Sequence, residues 1–80
     1  MDIQHEYKTV IIDYTNWKGA RQERTIVPID IYFGKTSYHP NIQWLLDAYD
    51  LDEHNYESAR KCFAMKDIHS WRPFIGESNE

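Results

Sequence analysis

The sequence predicts an all-β domain, a small barrel or sandwich of about five strands. Three observations carry this. β-Branched and aromatic residues gather in short runs, EYKTVIIDYTN (6–16) and ERTIVPIDIYFG (23–34) being the clearest. Turn-forming residues stand between the runs: Asn16 and Gly19, then Gly34, then Ser37 through Asn41. The one stretch with helical spacing, QWLLDAYDLDEHNY (43–56), lacks helical ends.

The first strand draws on Tyr7, Thr9, Val10, Ile11, Ile12 and Tyr14. The turn TNWKGARQ follows, and the second strand begins near Glu23. There Val27, Ile29, Ile31 and Phe33 alternate with Pro28, Asp30 and Tyr32, a period of two. Pro28 has no N–H to give a ladder, so it marks an edge or a bulge. A bulge would let Ile26 turn inward, out of phase with the later residues. KTSYHPN (35–41) is a loop, because His39-Pro40 and its neighbours resist regular structure.

The stretch 43–56 is the ambiguous one. Trp44, Leu45, Ala48 and Leu51 share a helical face, yet Gln43 is a poor N-cap and the acids lie toward the C-terminal end, where the helix dipole disfavours them. Strand is therefore the better reading, from about 42 to 50, as the central strand of the barrel followed by an acidic turn. Lys61 to Phe63 forms a fourth strand, MKDI (65–68) a single helical turn, and HSWRPF (69–74) a last strand. The whole is one domain (1–80), the barrel filling about 7–74 and IGESNE (75–80) forming a polar tail.

Three Trp, six Tyr and three Phe predict an aromatic-rich core, with Trp44 in it. Cys62 is the single cysteine, so no internal disulfide staples the fold, which suits a reducing cytoplasm. MDIQHEYK carries neither the basic nor the apolar region of a signal peptide, and no run approaches the about 18 apolar residues of a membrane span. A cytoplasmic protein without membrane contact is expected.

Nine basic against thirteen acidic residues give a net charge of −4, which argues against a sequence-independent nucleic-acid binder. The charge is uneven. Asp47, Asp50, Asp52, Glu53 and Glu57 crowd one stretch, and Arg60, Lys61, Lys66 and Arg72 the next. Either these pair with one another or the bases, joined by Arg24, form a local anion site, Arg as a planar fork and Lys as a point charge. Trp44 is read as a core aromatic first and as a stacking platform for a base second; Tyr32, Tyr38, Tyr49 and Trp71 face the same choice. His39, in the loop, is the histidine placed to meet a ligand. His5, His39, His54 and His69 have no metal spacing. Asp67, His69 and Ser70 are too close in sequence to converge as a triad, no nucleophile elbow exists, and the glycines are isolated. No enzyme, cofactor or metal is expected.

Trp44-Leu45-Leu46, the acidic turn and RKCFAMKDI (60–68), together with IDYTN (12–16), ERTIVPIDIYFG and SYHPNIQWLL (37–46), resemble the WYL domain family over about 8–71. Leu45 stands where the family's tripeptide has Tyr, and Ala64 and Asp67 stand where it carries arginine. The resemblance implies an Sm-like or SH3-like barrel. It also implies a ligand-sensing role in transcription regulation, as in bacterial or phage regulators, although eighty residues leave no room for the usual helix-turn-helix. The resulting expectation is a non-enzymatic barrel that binds a nucleotide, another small anion or a short single-stranded nucleic acid through Arg60, Lys61, Lys66, Arg24, Trp44, Tyr38 and His39. The alternative is a protein-interaction module, a homodimer or the accessory subunit of a regulatory partner, working by strand addition.

Overall fold

The computed structural model describes residues 8–75, so Tyr7, His5 and most of the polar tail lie outside the described residues. Five strands form one antiparallel sheet: β1 (Val10–Thr15), β2 (Arg21–Gly34), β3 (Gln43–Asp50), β4 (Arg60–Ala64) and β5 (Ile68–Pro73). Their order is β4-β3-β2-β1-β5. β4 and β5 therefore lie at opposite edges, yet only a 3₁₀ turn, Met65–Asp67, joins them. Three residues span about 10 Å at most, so the sheet must curl until these edges approach. The result is the small five-stranded barrel, with its short helical turn at the expected place.

Each link has a local cause. Asn16 builds the β1–β2 turn: its Oδ1 accepts from the N–H groups of Lys18 and Ala20, both at 2.9 Å. Gly19 supplies the left-handed residue, with φ of 87°. Thr36 organises the β2–β3 loop by accepting from Tyr38 N–H and His39 N–H. Beyond β3, Asn55 caps a second 3₁₀ turn, Tyr56–Ser58, that the sequence reading did not foresee.

β2, not β3, is the central strand. It is fourteen residues long and serves two partners in succession: Arg21 to Ile26 pair with β1, and Ile26 to Gly34 with β3. The register slips between Pro28 and Asp30, leaving Ile29 as the extra residue. This is the bulge that Pro28 foretold, and it brings Ile31 and Phe33 onto the same face as Ile26.

The core is aliphatic, contrary to the aromatic-rich expectation. Ile12, Ile26, Leu46, Ala48 and Phe63 form the buried cluster, with Val10, Tyr14, Met65 and Ile68 packed against it. One ring fills the centre: Phe63 meets Tyr14 edge-on, centroids 5.0 Å apart at 84°. All three tryptophans, Trp17, Trp44 and Trp71, are exposed. So small a barrel encloses room for branched aliphatics and one phenyl ring, and the larger indoles stay outside.

Candidate functional site

At the end of the barrel where β3 finishes, charge is buried. Asp50 stands opposite Ile26, facing the core, with only 1% of its surface exposed. A buried carboxylate is costly unless neutralised and hydrogen-bonded. Here Lys61 Nζ lies 3.5 Å and Arg24 Nη1 3.6 Å from its Oδ2, and Asp52 N–H donates to Oδ1 at 2.9 Å. Lys61 also donates to Glu53 at 2.9 Å. Burial pulls the Lys61 ammonium's pKa down, but pairing with Glu53 and Asp50 outweighs it and the net shift is upward. Glu53 is held below the usual carboxylate range by Lys61 and then by the N–H of Asn55. Asp52 completes the knot by accepting from Thr25 N–H at 3.0 Å, while Leu51 N–H donates to Thr25 C=O.

The anticipated anion site is not assembled. Arg60 lies on the outer face and donates to Asp47 at 3.2 Å, a pairing that raises its pKa. Lys61 and Arg24 are engaged with Asp50, and Lys66 leans on Asp67 at 3.4 Å. The mutual pairing of acids and bases is thus the outcome, with Glu53 as Lys61's second partner. Trp44 stands five positions along β3 from Tyr49, the partner of Arg60, or about 16 Å away. Tyr38 projects from its loop, 87% exposed, touching none of these. His39 is half-buried and its Nε2 meets the Cys62 carbonyl at 3.2 Å, so it ties the β2–β3 loop across to β4.

On that outer face Tyr32 Oη lies 3.7 Å from Cys62 Sγ. The contact, and then burial, push the Tyr32 phenol up to about 12. Burial likewise raises the Cys62 thiol, the opposite of what an activated nucleophile needs. Among the described residues, no group of three or more His, Cys, Asp or Glu is placed to hold a metal ion, and no helix is long and apolar enough to cross a membrane.

The opposite end is apolar and open. Trp44, expected in the core, is 56% exposed and rests on Phe33, ring centroids 5.2 Å apart. Phe33 is 59% exposed, Ile31 52% and Ile42 63%. The cause lies in strand lengths. Ile31, Phe33 and Trp44 share the face of Leu46, but β1 pairs with β2 only as far as Ile26, so β2 beyond Ile26 has no described strand on its β1 side. The tip of this strand pair, around Phe33 and Trp44, forms an arm beyond the buried Leu45 and Leu46. At its base an open groove of about 470 Å³ runs between Thr9-Val10 and Trp71, Pro73 and Phe74. The sequence reading noted the apolar alternation of Ile31 and Phe33 but not their exposure. The signal was present: the apolar run of the second strand outlasts the first strand that could cover it.

No protein-family model matches this chain, and no match is found among curated proteins or solved structures.

Proposed function

We propose that this chain is a non-enzymatic protein-interaction module whose working surface is the apolar arm. The observation that carries this reading is the joint exposure of Ile31, Phe33, Ile42 and Trp44 on one projecting pair of strands. Apolar side chains grouped on an otherwise charged surface mark contact sites for other polypeptides. Among the described residues the arm also bears an open strand edge, on which an extended chain can add by backbone hydrogen bonds. The bases, by contrast, are occupied by acids of the chain itself.

A second reading is a WYL-like regulatory barrel that stacks a nucleotide or a single-stranded base. The open indole of Trp44 beside Phe33 favours it. One titration separates the two. Labelled protein is mixed in parallel with extended peptides of alternating apolar and polar residues, and with nucleotides and short oligonucleotides. The interaction reading expects amide shifts at Ile31, Phe33 and Trp44 with the peptides. Shifts at Trp44, Arg60 and Lys61 with nucleotides, and none with peptides, would replace it by the ligand-sensing reading.

A further inference from the structure

We infer that the partner the arm fits is the same arm of a second copy of this chain, paired antiparallel about a two-fold axis at Tyr32; this rests on the interaction reading above. Among the described residues, β2 beyond Ile26 is paired on the β3 side alone, so its other side offers a row of backbone donors and acceptors. The sequence of that edge, Ile29-Asp-Ile-Tyr-Phe-Gly-Lys35, is self-complementary.

With Tyr32 facing its own copy, Ile31 of each chain stands opposite Phe33 of the other. In an antiparallel pair, opposed residues share a face, so both couples fall on the face that carries Trp44. Aromatic against β-branched residues is a favourable cross-strand combination. Asp30 then stands opposite Gly34 of the other chain, on the face of Tyr32, where it meets no like charge. Shifting the pairing by one residue would oppose the apolar face of one arm to the polar face of the other. The pattern therefore excludes slips of one residue.

The size of the patch sets the strength. Ile31, Phe33, Ile42 and Trp44 are each a little over half exposed. At roughly 200 Å² apiece that is about 450 Å² per protomer, or some 900 Å² in all, at the lower end for specific contacts. A weak, reversible dimer is expected, not an obligate one. Pro28 and the bulge at Ile29 limit the pairing to the arm and keep it from propagating along β2.

Sedimentation equilibrium of the full chain, up to about 1 mM, tests self-association. Isotope-filtered NOE spectra of a mixture of labelled and unlabelled chains test the register. A concentration-dependent dimer with NOEs from Ile31 methyls to the Phe33 ring of the other copy is expected. Ile31→Lys, at an exposed site that leaves the fold intact, should weaken the dimer at least about tenfold. A monomer at all concentrations overturns the self-pairing, as does a dimer that lacks the Ile31–Phe33 NOEs or ignores Ile31→Lys. The same measurements on a chain without residues 1–7 complete the test: a dimer that appears only there also overturns the proposal for the intact chain. If self-pairing fails while peptides still shift Ile31, Phe33 and Trp44, the interaction module stands with a different partner; if peptides too are without effect, both readings fall.

Discussion

The two ends of this barrel invert the usual distribution of polar and apolar groups. At one end a carboxylate, Asp50, is sealed inside among Arg24, Lys61 and the Asp52 N–H. At the other, Phe33 and Trp44 lean on each other in the open. The first end is closed upon itself: Arg24 and Lys61 both meet Asp50, and Lys61 also meets Glu53. The second has surface for which the described chain supplies no cover. In the reading proposed above, the charged end serves stability and the apolar end recognition.

The comparison breaks most directly at Asp50. Asp50→Ala strips Lys61 and Arg24 of their shared carboxylate and frees Asp52 N–H. Removing one member of a buried pair costs about 3–5 kcal/mol, and because both cations are partly exposed the lower figure, about 3 kcal/mol, is expected. Urea unfolding gives the value directly, with an unchanged m-value as the sign that compactness is intact. A loss under about 1 kcal/mol would show that the charge cluster is decoration and that the barrel end is held by its backbone alone.

Trp44→Ala probes the opposite end and should be much milder. A buried indole would cost about 3–5 kcal/mol on truncation. With its ring more than half exposed and one aromatic neighbour, Trp44 should cost about 1 kcal/mol. The same substitution should remove peptide binding at the arm. A stability loss equal to that of Asp50→Ala would erase the division of labour between the ends.

The contrast between these residues also shows what a sequence carries. The strands, the Asn16–Gly19 turn, the bulge beside Pro28 and the turn at Met65–Asp67 were all legible, because each depends on neighbours in the chain. The exposure of Trp44 and the burial of Asp50 escaped the pattern for one shared reason. Both sit in the same apolar strand, and pattern alone puts the tryptophan inside and gives no sign that the aspartate is buried. What decided otherwise is the length of β1 relative to β2, and the arrival of Arg24 and Lys61 from two other strands. Those are long-range facts. The mutual pairing of the acidic and basic runs could be read because they are adjacent in sequence; that Glu53 takes Lys61 could not, since the Asn55-capped turn fixes it.

The smallest effect is also the one that separates the ends without a core mutation. Three carboxylates titrate below their ordinary values: Asp13 because Arg21 grips it, Glu23 because of Arg72, and Glu53 because of Lys61. Each binds its proton less readily folded than unfolded. Their stabilisation is thus complete above the unfolded value, 4.5 for a glutamate, and is lost as pH falls through the lower folded value. Stability should be level near neutrality and decline below about pH 4.5. Glu53 and Lys61 close the loop over the charged end, so amide exchange at 51–59 should quicken on that descent before exchange in the arm at 31–33 does. Glu53→Gln should flatten part of the decline and loosen that loop already at neutral pH, leaving the arm's exchange unchanged. If acid instead loosened the arm first, or if Glu53→Gln altered both ends alike, the two regions would be one cooperative unit and their separate roles could not be maintained.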